Sequence, residues 1–146
     1  MKESSDRAIT IKELRGGDRE TFYRKVEAMP STWWSSVTEH SDIKVYKRYD
    51  NEVTLVVYFD DRFCGMADLE PERRTIVDYL AVSYGNLSES LRRLLNGVVA
   101  YARIRGIEEI MIPVDSTKKV FLRTLMSEGF RIVETEYRLS KKLYKS

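Results

Sequence analysis

Apolar and polar residues alternate along AITIKEL, Ala8 to Leu14, a period of two that predicts a half-buried strand. Gly16-Gly17 interrupts it, and the period then lengthens. Phe22, Val26 and Met29 share one face of a helix expected over Arg19 to Ala28, with Asp18 as its cap. Pro30 stops that helix, and Ser31 or Thr32 is expected to open a second, short one carrying Trp33, Trp34 and Val37. Ser41 to Tyr49 alternates in part and reads either as loop or as a brief strand. VTLVVYF, FCGMADL and RTIVDYLAV follow, separated by Asp60-Asp61 and Pro71-Glu72, and predict an antiparallel meander. Gly65, inside the second of these strands, marks a bulge or a close backbone approach.

Past Val82 the small-residue stretch SYGNLSES leads into a long helical period, Ser88 to Arg105. Leu91, Leu94, Leu95, Val98 and Ala102 fall on its apolar face, with Arg92, Arg93 and Arg103 turned away. Gly106 suits the position just beyond the helix. Ile107 to Val114 contains a short apolar strand ended by Pro113, and because a helix joins it to the preceding strand the pair is expected to run parallel. Asp115 or Ser116 then caps a last helix that closes at Gly129. A final strand, with Ile132, Tyr137, Leu139 and Leu143 alternating with charge, is expected to lie antiparallel near the last buried one.

Composition narrows the class. The 146 residues suit a single domain, 1–146, with 1–6 as a loosely held tail. Hydrophobic residues make up 42% and charged residues 33%, which favours a folded, soluble chain over a disordered one. A net charge of +2 is too small to point to nucleic acid or an anionic membrane as partner. One cysteine, Cys64, and one histidine, His40, cannot form an intrachain disulfide or a familiar His/Cys zinc cluster, so no metal is expected. No apolar run reaches the roughly 20 residues of a membrane helix, and the polar start MKESSDRA is unlike a signal peptide. The expected location is the cytoplasm.

The order strand, loop, long helix, buried strand, helix ending in Gly129-Phe130, strand resembles the GNAT superfamily of N-acetyltransferases. The YLAV strand end at Tyr79 to Val82, Leu94-Leu95 in the first turns of the long helix, and Gly65 in the third strand support the likeness, which runs from about Ile9 to Leu143. The tail is similar to the protein-lysine acetyltransferase branch, where an apolar residue replaces an aromatic in the final helix. The resemblance implies an α+β fold in α/β/α layers. Its sheet is mixed but mostly antiparallel, with about six to seven strands, about four helices and one splayed strand pair. It also implies acetyl-CoA as co-substrate and an amine acceptor, protein or small molecule, attacking the thioester directly. A homodimer is compatible with it.

In the family the pantetheine arm lies along the splayed strand, here on the backbone of Leu80 and Val82. The pyrophosphate meets the start of the long helix, whose free N–H groups and dipole favour negative charge. The family writes that loop Arg/Gln-x-x-Gly-x-Gly/Ala; set in register on Leu94-Leu95, this chain has Asn86, Glu89 and Leu91 at those positions. A carboxylate about 5 Å from a phosphate charge opposes binding by roughly 3 kcal/mol at an effective dielectric near 20. Gly85, Ser88, Ser90, Arg92 and Arg93 remain as candidate contacts, against the plainer reading of a capped helix start. Asp78 is the candidate general base, with a solvated carboxylate paired to Arg73 or Arg74 as the alternative. Leu125 stands where many relatives carry an acidic tyrosine, and Lys118 where an asparagine is frequent; Tyr84 is a distant substitute acid. Trp33 and Trp34 fall in the region resembling the acceptor-binding helix, with packing of both in the core as the plainer reading. Cys64 reads as a small core residue, and Lys118-Lys119 as solvated. A GNAT-like fold that has lost catalysis and serves as a binding or regulatory module is the second expectation.

Overall fold

The computed structural model describes residues 9–30, 34–38, 52–83, 85–114 and 117–133. Their elements follow in the order β1 (Ile9–Leu14), α1 (Gly16–Glu27), β2 (Trp34–Ser36), β3 (Val53–Phe59), β4 (Arg62–Leu69), β5 (Arg74–Ser83), α2 (Leu87–Arg105), β6 (Glu109–Met111) and α3 (Lys119–Ser127). Among the described residues the fold is therefore mixed α+β, six strands with three helices. The meander forms as the alternation predicts: β1, β3, β4 and β5 pair antiparallel in that order. Asp60 and Asp61 both take positive φ in the tight turn between β3 and β4, a conformation Asp tolerates better than most residues. β6 returns parallel to β5 through α2, as a strand–helix–strand crossover requires.

Both sheet faces are covered. On one, α2 buries Leu91, Leu94, Leu95, Val98 and Ala102, the stripe its period predicts, and α3 adds Phe121 and Leu125 to the same core. On the other, Tyr23 and Val26 of α1 pack with Met66, Tyr79 and Ala81. Asp18 lies inside the first turn of α1 rather than capping it; Arg15 holds the cap position without a side-chain bond. Tyr23, absent from the apolar face read off the sequence, is fully buried because its hydroxyl has a partner. It donates to Asp68 Oδ2, Thr54 donates to Asp68 Oδ1, and Arg19 Nε donates to Thr54 Oγ1 at 2.8 Å. Burial raises the Asp68 carboxyl despite those hydrogen bonds and the Arg19 charge, and burial beside Asp68 raises the Tyr23 phenol well above its usual value.

Ser41 to Tyr49, the Asp115 or Ser116 cap and the body of the final strand lie outside the described residues, as do Trp33, His40 and Tyr84.

Candidate functional site: the forked edge of β5

Two irregularities shape β5. Asp68 pairs with Tyr79 but Leu69 with Val77, so Asp78 is the extra residue of a bulge. Bulges bend the strand that carries them and re-aim a side chain. On the opposite edge β6 follows β5 only from Arg74 to Ile76, opposite Glu109 to Met111. Beyond Met111, Pro113 has no N–H with which to extend the ladder. The strands therefore part just before the bulge, and half-buried Asp78 stands at the fork. Arg73 and Arg74 reach Glu108 and Glu109, each at 3.7 Å.

The diverging half of the β5 edge has an internal partner. Trp34, Ser35 and Ser36 form β2 and run antiparallel to it opposite Ser83, Val82 and Ala81. The Val37 N–H donates to the Leu80 carbonyl at 2.7 Å, and the Leu80 N–H donates to Thr38 Oγ1 at 3.2 Å. Val37 and Thr38 are fully buried, and Val37 joins the core cluster that contains Leu80, Val82, Leu91 and Leu125. From the far side of the fork the Lys118 ammonium donates to the Ser36 carbonyl at 2.9 Å and the Thr38 carbonyl at 2.8 Å. Where a helix was expected to carry Trp34 and Val37, the described part holds a strand over Trp34–Ser36 and no helix. An open sheet edge presents N–H and C=O groups that need partners, and aromatic and β-branched residues suit the pleat. Lys118, read as solvated from sequence, is half-buried and bonded at this fork.

The start of α2 is a capped helix. Asn86 Oδ1 accepts the Glu89 N–H at 3.1 Å, and the Asn86 carbonyl accepts the Ser90 N–H at 2.9 Å. Gly85 precedes it with φ 121°, a conformation that favours glycine. Glu89 is exposed and pairs with Arg93 at 2.9 Å; Leu91 is buried in the core. Arg93 is half-buried, its guanidinium 3.6 Å from the Phe59 ring centroid, so it does not simply face away. Arg92 reaches Glu128 at 3.6 Å, and Ser88 accepts from the Thr124 hydroxyl at 3.3 Å. The loop's polar groups are thus largely turned on the protein itself. Leu125 is buried, and offers no proton donor at the fork. Cys64 is buried, and burial raises its thiol above the ordinary value.

Asp78, Leu80 and Val82 follow one another along β5, and Gly85, Asn86, Ser88 and Ser90 continue from its end. Trp34 sits opposite Ser83 and lines a cavity of about 460 Å³ between α1 and the sheet, with Phe22, Met29, Tyr58 and Phe63. Lys12, Asp18 and Lys25 also line it. Thr38 and Lys118 are the site residues that sequence reasoning missed. The available signal was an unpartnered strand end at Leu80 to Val82, which had to be covered by something.

No protein-family model matches the chain, and no curated protein matches it. Solved structures do. An N-acetyltransferase from Staphylococcus aureus Mu50 aligns with a TM-score of 0.61 at 21% identity, over 86% of this chain and 83% of that one. An IAA acetyltransferase from Bacillus cereus ATCC 14579 aligns with a TM-score of 0.59 at 16% identity, over 86% and 79%. An aminoglycoside N-acetyltransferase solved in complex with CoA aligns with a TM-score of 0.56 at 10% identity, over 87% and 90%. The chain has the fold of the GNAT N-acetyltransferases.

Proposed function

We propose that this chain is an acetyl-CoA-dependent N-acetyltransferase. The observation that carries the reading is the fork: β5 leaves β6 at the Asp78 bulge, and its Leu80–Val82 edge takes up an extended chain through backbone hydrogen bonds. β2 demonstrates that capacity within the molecule. A pantetheine arm, also an extended chain bearing amides, suits the same groups. As the fork stands, however, Val37 and Thr38 fill it, so the arm fits only when they leave.

In this reading Leu80 and Val82 hold the arm, and Gly85, Asn86, Ser88, Ser90, Arg92 and Arg93 meet the phosphates. Trp33 and Trp34 border the acceptor. The neutral amine attacks the thioester carbonyl carbon, the C–S bond breaks, and an amide and a thiolate result. Asp78 takes the proton from the attacking nitrogen and returns it through water to the thiolate, since Leu125 carries no hydroxyl.

Isothermal titration with acetyl-CoA and CoA tests the reading; no heat at millimolar ligand sinks it. Asp78→Asn is expected to slow thiol release about 100-fold or more, and an unchanged rate at every pH dismisses the base. The filled fork and Leu125 favour a second reading, a GNAT-fold binding or regulatory module without turnover. It predicts ligand-independent, permanent pairing of β2 with β5.

A further inference from the structure

We infer that residues 34–38 are an internal substitute for the acyl-CoA arm, exchanged for it on binding, with Lys118 as the latch that sets how often the fork opens. The inference rests on the acyl-CoA reading above and adds the competition between chain and ligand.

The two occupants need the same groups. An arm laid along the diverging half of β5 requires the Leu80 N–H, the Leu80 carbonyl and the Val82 backbone. The Leu80 carbonyl accepts the Val37 N–H, the Leu80 N–H is given to Thr38 Oγ1, and Val82 faces Ser35. Both cannot be bound together.

The hold on the segment is local. β2 has only three residues in the ladder, and all three are half-buried. Its inward anchors are Val37, packed with Leu80, Val82 and Leu125, and Thr38. On its other side Trp34 packs against the Tyr23 cluster, and Lys118 Nζ donates to two carbonyls of the segment, those of Ser36 and Thr38. Lys118 stands at the N-terminal boundary of α3, reached from β6. It therefore ties the segment to the strand side from which β5 has parted. Without that ammonium the two carbonyls lose a charged donor, while β5 and α3 keep their own hydrogen bonds.

A ligand that binds only the open form has its apparent affinity reduced by the fraction of molecules that are open. Weakening the latch thus tightens ligand binding although it removes an interaction. A purely structural role for Lys118 predicts the opposite sign, or no change.

The experiment combines amide hydrogen exchange at Val37 and Leu80 with calorimetric titration of CoA. It uses the full chain, Lys118→Met, which keeps the apolar stem, and the pair Ser36→Cys with Ala81→Cys, whose positions oppose each other in the ladder. Lys118→Met is expected to speed exchange at Val37 at least about tenfold without ligand, through the loss of two charge-assisted hydrogen bonds, and to tighten CoA by a similar factor. CoA is expected to deprotect Val37 in the parent chain. The cysteine pair should bind acetyl-CoA, whose sulfur is blocked and cannot open the disulfide, when reduced and not when oxidised. CoA bound with Val37 still protected, or acetyl-CoA bound equally by oxidised and reduced forms, overturns the exchange and leaves the acyl-CoA reading intact. Absence of CoA binding by the parent, Lys118→Met and the reduced pair alike overturns both.

Discussion

Replacing Gly65 with alanine places a methyl group where β4 and β5 approach each other beside the fork. Gly65 lies between Val57 on β3 and Val82 on β5. A Cβ built there falls 2.5 Å from the Ala81 carbonyl oxygen and 2.8 Å from Leu94 Cδ2, where ordinary contact begins at 3.4 Å. The shortfall of about 0.9 Å is against backbone. Ala81 is held by ladders on both sides, to Met66 and to Ser36, and Leu94 is fully buried, so neither neighbour yields cheaply. Overpacking of this kind costs about 3 kcal/mol, the upper part of its usual range. At about 3 °C per kcal/mol for a chain of this size, thermal unfolding followed by circular dichroism should show a Tm lowered by about 9 °C. Gly97→Ala is the internal comparison. Its Cβ meets Val57 side-chain atoms at 2.9 and 3.1 Å rather than backbone, and about 1 kcal/mol of helix propensity offsets part of the clash. Its loss should be about 1 kcal/mol. A Gly65→Ala protein melting within about 2 °C of its parent, or above Gly97→Ala, would refute the close-approach argument.

Two further predictions concern charge. Arg19 Nη2 lies 3.5 Å from Asp68 and 3.6 Å from Glu52, with all three side chains almost fully buried. Arg19→Met should therefore cost about 3–5 kcal/mol in urea unfolding, since it strands two buried carboxylates; a loss below about 1 kcal/mol would show that the guanidinium does not compensate them. Glu13 joins β1 to the end of α2, accepting from Arg15 at 2.7 Å, Tyr101 at 3.0 Å and Arg105 at 2.6 Å. Burial alone would raise its carboxyl, but the bonds from Arg15 and Tyr101 and the Arg105 charge outweigh it and hold the group below its ordinary 4.5. A carboxylate depressed in the folded state stabilises above its unfolded pKa, and that contribution is lost as pH falls through the folded value. Glu13→Gln should flatten the decline of stability below pH 4.5, and an unchanged acid limb would remove Glu13 as its source.

By itself the sequence determined the elements whose period is local and strong. The strands over Ile9–Leu14, Val53–Phe59, Arg62–Leu69 and Arg74–Ser83, the long α2 with its buried leucines, and the parallel return of β6 follow from alternation, helical spacing and short turns. Gly65 was legible as a bulge or a close approach, and it has both: the β3–β4 register shifts beside it and a Cβ there would meet the Ala81 carbonyl. Tertiary structure decided what occupies the fork. Trp34 to Thr38 sits about 45 residues from Leu80 to Val82, and its local pattern suits a helix as well as a strand; only the unpartnered N–H and C=O groups of β5 select the strand. The same holds for Lys118, whose lysine next to lysine reads as solvated until two carbonyls from the other end of the chain are brought against it. Periodicity reports which side of an element is buried, because burial repeats with the backbone. It carries no record of which distant edge needs a partner, because that demand arises only once the sheet has formed.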